Sequence, residues 1–243
     1  MLPPVQGLWV GPRLTAMERM AIQSFLDNGH AYHLYCYGDV EGVPRGTTVK
    51  NGAEVLPASQ IFGYAEGFAK GSVAAFSNFF RYKLLLERGG WWVDTDVVCL
   101  RPFAMSDDRL WASERMDLPG DLVVSTSVIK VEPGDSLMAW AWNQCNQLER
   151  GDITFGQIGP RLLQAGVDAL NLHAFMRPHT FFSPVAFYDW RTMVESSRLP
   201  AIRPETYGVH LWNQMWSANG VDKDGQFPAD CFYEILKRRF PWQ

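Results

Sequence analysis

Apolar and polar positions alternate along the first part of the chain in a pattern that predicts strands and helices in succession. Apolar runs at 7–10 and 31–37 indicate two strands, and the segment between them has apolar residues at helical spacing. Thr15-Ala-Met-Glu18 matches a capping box, and Asn28-Gly29 is a helix stop. Such a strand–helix–strand start is typical of a parallel sheet with crossover helices.

The same pattern predicts further elements downstream. Residues 38–70 are rich in Gly and Pro and predict loops with one short strand near 54–56. The remaining elements are a helix at 72–88, strands at 110–113 and 122–131, and helices at 135–148 and 160–169. The last third, rich in Pro and aromatic residues, predicts irregular structure over a site. The chain is therefore expected to form a single α/β domain, residues 1–243, with a mostly parallel sheet and flanking helices.

One apolar run, from Gly89 to Phe103, contains two aspartates. If the run is one strand, Asp94 and Asp96 share a face, with Cα atoms about 6.6 Å apart. At an effective dielectric near 20, such a pair repels by about 2.5 kcal/mol. A divalent cation such as Mg²⁺ or Mn²⁺ would offset this repulsion and leave coordination positions for phosphate oxygens. The carboxyl end of a strand in an open α/β sheet is a natural position for a metal–nucleotide complex.

Composition and charge narrow the possible functions. The chain has 243 residues, ten of them Trp, and a net charge of −4, which argues against nucleic acid as a partner. The four cysteines are scattered without a CxxC pair and are expected to be reduced, buried thiols: Cys36, Cys99, Cys145 and Cys231. No signal peptide and no run of 18 apolar residues is apparent, so a cytoplasmic protein is expected.

The stretch FSNFFRYKLLLERGGWWVDTDVVCLRPF resembles the sugar-binding region of family 32 glycosyltransferases and their α-1,4-galactosyltransferase and α-1,6-mannosyltransferase relatives. That region reads "S-D-x-x-R-Y" followed by "G-G-x-Y-x-D-x-D". The matching positions here are Ser77, Asn78, Arg81, Tyr82, Gly89, Gly90, Trp92, Asp94 and Asp96. Three shorter stretches also resemble the family: Leu8-Trp9-Val10-Gly11, Gly159-Pro160-Arg161-Leu162-Leu163 and His210-Leu211-Trp212-Asn213.

The resemblance implies a Rossmann-like GT-A fold, with a nucleotide-sugar-binding half at 1–110 and an acceptor-side half at 111–243. It also implies roles for individual residues. Asp94 and Asp96, with His210 as a candidate third ligand, would hold Mn²⁺ or Mg²⁺. The donor contacts would be Asn78 and Arg81 on the ribose or sugar, Trp92 near the ribose, Trp9 on the base, and Trp212 and Asn213 on a closing loop.

Two positions depart from the family pattern. Asn78 stands where the family usually has Asp, which removes a charge from the expected donor-sugar contact. Trp92 stands where the family often has Tyr, which keeps the ring but loses the hydroxyl. An ordinary core role is the competing interpretation of both Trp9 and His210. The resemblance implies retention of anomeric configuration, but the sequence names no nucleophile; Asp152 and Gln157 are candidate catalytic residues.

The expected reaction moves a hexose from a nucleotide-sugar, UDP-sugar favoured over GDP-mannose, to a glycan or glycolipid in bacterial cell-surface polysaccharide synthesis. The C-terminal helix CFYEILKRRFPW carries Lys237, Arg238 and Arg239 beside aromatic residues, which suggests peripheral contact with the inner membrane. Two alternatives stay open. Asp94-Thr95-Asp96 also fits the motif of haloacid-dehalogenase-type phosphatases, although more than ninety residues precede it. The Trp content also fits a non-catalytic carbohydrate-binding module.

Overall fold

The computed structural model describes residues 2–116, 122–196 and 198–242. The strands are β1 Val5–Leu8, β2 Tyr32–Cys36, β3 Thr48–Asn51, β4 Gly90–Val93, β5 Val97–Cys99, β6 Leu110–Arg115, β7 Leu122–Val131 and β8 Gly208–His210. The helices are α1 Ala16–Asp27, α2 Ala74–Arg88, α3 Ser136–Cys145, α4 Pro160–Ala169, α5 Asn213–Ala218 and α6 Phe232–Arg239. Short 3₁₀ segments connect several of them.

Six strands form the central sheet, in the order β3-β2-β1-β4-β7-β6. The strands β3, β2, β1 and β4 pair in parallel, whereas β7 runs antiparallel to both β4 and β6. Consequently β6 points in the same direction as β4, and the carboxyl ends of β1, β4 and β6 lie at one edge of the sheet. This arrangement confirms the predicted α/β class with a mostly parallel sheet.

Both faces of the sheet are buried, and β4 shows how. Trp91 and Trp92 are adjacent, so their indoles lie on opposite faces, and both are buried. Trp92 packs in the core that contains α2, α3 and α4, while Trp91 packs with Phe25 and Phe103 on the α1 face. Burying a side chain of this size stabilises the fold by about 2–3 kcal/mol, so β4 anchors both layers.

Local signals set most helix and strand boundaries. The backbone N–H of Thr15 donates to the Glu18 carboxylate at 2.8 Å, completing the predicted start of α1, and Gly29 ends it with φ of +83°. Pro160 is the first residue of α4, as predicted. The predicted strand near 54–56 is wrong: the strand of that region is β3, an exposed edge strand whose TVKN sequence has no apolar alternation to reveal it.

The prediction of one continuous strand through both aspartates is also wrong. The strand β4 ends at Val93, and the Val97 N–H donates to the Asp94 carbonyl at 3.0 Å, so residues 94–97 form a turn. Asp is itself a turn-forming residue, and the flanking apolar residues concealed that property. The aspartates therefore do not share a strand face. After the turn, β5 leaves the central sheet and pairs with β8.

The last third of the chain is irregular, as predicted, with 3₁₀ segments, the short β8 and the helices α5 and α6. All four cysteines are buried, as predicted, and none of them is in a disulfide. Within the three described ranges, no helix has both the length and the apolar character that a membrane crossing requires.

Candidate functional site

A cavity of about 1000 Å³ opens at the sheet edge where β1, β4 and β6 end. Nine of the predicted site residues line it: Trp9, Asn78, Arg81, Trp92, Asp94, Asp96, His210, Trp212 and Asn213. The other two predicted residues are not among its lining residues. Asp152 is exposed, and the Gln157 side chain accepts a hydrogen bond from the Thr154 N–H at 2.9 Å. Their catalytic role stays a prediction.

Asp94 is held by residues from α2 and β4. The Arg81 guanidinium forms an ion pair with Asp94 Oδ1, and the Trp92 indole N–H donates to the same oxygen at 2.8 Å. Arg81 also donates to the Asn78 amide oxygen and lies over the Trp92 ring, 4.7 Å from its centroid. We call Asn78, Arg81 and Trp92 the floor of the site. It fixes the orientation of the Asp94 carboxylate.

The floor is built from a short stretch of sequence. Helix α2 carries Asn78 and Arg81 one turn apart on a buried face, and Gly89 allows the chain to turn directly into β4 with φ of +61°. Gly159, at the start of α4, lies against Asn78: a Cβ there would be 3.3 Å from the amide nitrogen. The segment 159–163, which resembles the family motif, therefore packs against the floor through Gly159.

Asp96 is held by a different part of the chain. His210 Nε2 lies 3.2 Å from Asp96 Oδ2, and the Asn213 backbone N–H donates to that oxygen at 2.7 Å. Burial raises the pKa of Asp96, but the charge and hydrogen bond of His210 outweigh burial, so the pKa lies below its usual value. Burial conversely lowers the pKa of His210, and Asp96 more than offsets it, so that pKa is raised.

Pairing of β5 with β8 brings His210 to the aspartates. In the register of this pair Val97 faces His210, and the Leu211 N–H donates to the Asp96 carbonyl at 2.9 Å. Trp212 has a left-handed backbone with φ of +61°, and its ring lies 3.9 Å from the His210 ring, centroid to centroid. Residues 208–218, which we call the cap segment, thereby cover Asp96.

The two aspartates and His210 form a candidate cation site. One ligand atom from each of the three lies within 4.8 Å of the others. Carboxylate oxygens suit Mg²⁺ and Mn²⁺, and imidazole is a further ligand for transition metals such as Mn²⁺. His210 Nδ1 is buried without a hydrogen-bond partner within the described part of the chain, so the ring has a nitrogen that protein contacts do not use. The residues present therefore fit a divalent cation.

Lys223 connects the cap segment to α1 and to Trp9, and it was not identified from the sequence. Its ammonium donates to the Asn213 side-chain oxygen at 2.8 Å and to the buried Glu18 carboxylate at 2.7 Å. It also lies 5.7 Å from the centroid of the Trp9 ring. No motif marks this lysine, because its partners are far apart in the sequence.

Glu114 was also missed. It is buried at the carboxyl end of β6 and lines the cavity, whereas the apolar pattern predicted a strand that ended one residue earlier, at Ser113. A single Glu beside a charged Arg115 gives no sequence signal for burial.

Comparison with known proteins agrees with this site. Residues 48–117, which include α2 and the Asp94-Thr95-Asp96 turn, match the family model described as "Glycosyltransferase sugar-binding region containing DXD motif". The match favours a transferase over the phosphatase and binding-module alternatives. None of the curated proteins matches the chain with significance.

Several solved structures are similar to the chain. The PaToxG glycosyltransferase has 11% identity and a TM-score of 0.51, over 99% of this chain and 87% of that one. The ligand-free glycosyltransferase domain from the YGT toxin has 7% identity and a TM-score of 0.49, over 98% and 99%. The apo-form GlyE of Streptococcus pneumoniae TIGR4 has 11% identity and a TM-score of 0.47, over 98% and 62%.

At 11% identity the likeness to PaToxG speaks for the fold alone, and it agrees with the predicted GT-A-type sheet. The family match adds the chemistry of the region around Asp94 and Asp96. Together they support the resemblance of this chain to glycosyltransferases that carry a DXD motif.

Proposed function

We propose that this protein transfers a hexose from a nucleotide-sugar to a saccharide acceptor, with a divalent cation held by Asp94, Asp96 and His210. The observation that carries the proposal is the convergence of two carboxylates and an imidazole within 4.8 Å, beside a buried arginine, in a cavity at the carboxyl edge of the sheet. That edge is where open α/β sheets bind nucleotides. The preference for a UDP-sugar over GDP-mannose rests on the family resemblance.

The charges of the site suit cleavage of a sugar–diphosphate bond. Negative charge develops on the leaving diphosphate, and a bound Mn²⁺ or Mg²⁺ supplies Lewis-acid stabilisation for it. Arg81 is the permanent cation beside the site and keeps Asp94 oriented. The cap segment covers Asp96 with Trp212, which limits the access of water to the reacting bond.

Exposed aromatic rings at the cavity support a saccharide acceptor. Phe68 and Phe155, 54% and 46% exposed, line the cavity together with the buried Tyr64. The Phe155 ring lies 5.6 Å from Tyr64 and 5.7 Å from Phe68, centroid to centroid, so the three rings form one surface. Such rings pack against the apolar faces of sugars. The proposed acceptor is therefore a glycan or the glycan part of a glycolipid.

We further propose that the reaction retains the anomeric configuration, with Asp152 and Gln157 as candidate catalytic residues. We also propose that the protein acts in the cytoplasm, in cell-surface polysaccharide synthesis. These proposals rest on the sequence.

Peripheral membrane contact through α6 is a further proposal. Lys237 forms an ion pair with Glu234, and the Arg238 and Arg239 guanidiniums donate to main-chain carbonyls at 2.7 and 3.1 Å. Binding to anionic vesicles that is insensitive to charge reversal of these three residues would contradict the membrane contact.

The test is release of nucleotide from a panel of UDP- and GDP-sugars incubated with the protein and Mn²⁺. The proposal expects slow release that EDTA abolishes and that Asp96→Asn removes, with the largest rate for a UDP-sugar. Added saccharide should divert the sugar from water to a glycoside. Hydrolysis of p-nitrophenyl phosphate with no effect on the nucleotide-sugars would instead support the phosphatase alternative.

A further inference from the structure

A third buried carboxylate faces the cavity outside the cation site. Glu114 is 8% exposed and lines the cavity, yet it does not belong to the group of Asp94, Asp96 and His210 that could hold an ion. Among the described residues that line the cavity, the remaining acid is Asp168, which is exposed. A buried carboxylate is costly without partners, so its position calls for a ligand or a role.

An irregularity in the sheet places Glu114 there. Trp111 on β6 pairs with Ile129 on β7, whereas Ser113 pairs with Val124, so a step of two residues on β6 faces a step of five on β7. The extra β7 residues form a bulge in which the Ser125 and Ser127 hydroxyls lie 3.0 Å apart. Bulges of this kind redirect side chains beside active sites. Here Ser125, Thr126 and Glu114 all line the cavity.

The protein satisfies Glu114 only in part. Burial raises the pKa of Glu114 above its ordinary value, and the nearby Ser125 hydroxyl offsets this only in part. An ionised carboxylate has about four acceptor positions, so one hydroxyl leaves acceptor capacity that faces the cavity. The ligand of Glu114 must therefore bring hydrogen-bond donors.

The order of strands indicates which part of a nucleotide-sugar would contact Glu114. Trp9 follows β1, Asp94 follows β4, and Glu114 ends β6, two strands beyond β4 on the side away from β1. At about 4.8 Å between neighbouring strands, Glu114 is about 10 Å from β4 across the sheet. With the base at Trp9 and the diphosphate at the cation, the group that extends toward β6 is the sugar. A sugar is neutral and carries hydroxyl donors, whereas a phosphate would be repelled by the carboxylate.

We propose that Glu114, supported by Ser125, binds hydroxyl groups of the transferred sugar and thereby helps to determine which sugar the enzyme accepts. The inference rests on the proposed function, because it takes the cavity to hold a nucleotide-sugar. It assigns Glu114 a binding role at the sugar and none at the cation or the base.

The experiment compares a nucleotide with and without its sugar. Calorimetric titration with Mn²⁺ present measures the affinities of UDP and of UDP-glucose, UDP-galactose and UDP-N-acetylglucosamine for the wild type, Glu114→Gln and Glu114→Ala. The control is Glu132→Gln, an exposed residue just past the opposite end of β7. We expect UDP affinity within twofold of wild type in every variant. Affinity for the preferred UDP-sugar should fall about tenfold in Glu114→Gln and further in Glu114→Ala, since hydrogen bonds to a charged group are lost.

The difference in affinity between UDP-glucose and UDP-galactose, which are epimers, should become smaller in the same variants. Equal losses for UDP and the UDP-sugar would overturn the inference, since they indicate a structural role. A large fall in kcat with unchanged UDP-sugar affinity would also overturn it and would make Glu114 a reacting group. If the wild type binds Mn²⁺ and UDP, but binds none of the three UDP-sugars more tightly than UDP, this inference alone is refuted. A wild type that binds no nucleotide would refute the proposed function as well.

Discussion

Asp94 and Asp96 are two residues apart, yet different regions of the molecule hold them. The floor, from α2 and β4, holds Asp94 through Arg81 and Trp92, whereas the cap segment holds Asp96 through His210 and Asn213. In both carboxylates the protein donors converge on one oxygen. The Asp94 side chain is 22% exposed and that of Asp96 only 9%. The difference shows that one short motif joins a locally folded half-site to a half-site that forms only when residues 208–213 pack against the middle of the chain.

Loss of Arg81 should have the largest effect, because the floor depends on it. Arg81→Met leaves the Asp94 charge without its partner and the Asn78 oxygen without its donor. We expect nucleotide release to fall about 10³-fold and the free energy of unfolding to fall by about 3 kcal/mol. Arg81→Lys keeps the charge but cannot contact both partners with one planar group, so it should recover part of the stability and little activity. Urea unfolding and a release assay measure both. Full activity of Arg81→Met would show that the reaction does not need the floor.

Loss of His210 tests the cap side of the comparison. His210→Ala removes a proposed ligand and should weaken Mn²⁺ binding by at least about 100-fold, the loss at the upper end for residues that only support a ligand. His33→Gln, in the half-exposed part of β2, is the matched control and should bind Mn²⁺ as the wild type does. Equal Mn²⁺ affinity in His210→Ala and wild type would mean that His210 is an ordinary core histidine.

Lys223 should act on the cap through Asn213. Lys223→Met breaks the contacts to Asn213 and Glu18. Because the Asn213 N–H orients Asp96, we expect kcat/KM to fall about tenfold with the pH profile of the wild type. Lys83→Met removes an exposed ion pair with Glu87 and should change activity little. If both lysine variants behave alike, the contacts of Lys223 do not support the cap.

Asn78→Asp should have the smallest effect and sharpens the account of the floor. It installs the acid of the "S-D-x-x-R-Y" pattern that this stretch resembles, and Arg81 can donate to it as it does to the amide. We expect Mn²⁺ affinity to stay within about threefold of wild type, because Asn78 contacts Arg81 and not the cation ligands. If Asn78→Asp instead gains more than about threefold in affinity for the nucleotide-sugar, a carboxylate at this position binds the sugar.

The two half-sites also differ in how well the sequence predicted them. The floor was predicted because α2, Gly89 and β4 are contiguous, so helical spacing and a family motif specify it. Asp94 and Asp96 line the cavity, as the motif indicates, but their predicted strand geometry was wrong because flanking apolar residues masked a turn. His210 was found through a short motif, whereas Lys223 and Glu114 carry no local signal. The position of His210 depends on the β5–β8 pairing and that of Glu114 on a β7 bulge, while Lys223 contacts Glu18 from the other end of the chain. Only tertiary contacts determine these arrangements.

The central claim is that Asp94 and Asp96 hold one divalent cation against the diphosphate of a nucleotide-sugar. Titration calorimetry with Mn²⁺, with and without UDP or GDP, tests it most directly. The account predicts one Mn²⁺ per wild-type chain, bound more tightly when nucleotide is present, and no binding to Asp94→Asn or Asp96→Asn variants that remain folded. Absence of Mn²⁺ and Mg²⁺ binding to the wild type, even with nucleotide supplied, would contradict it.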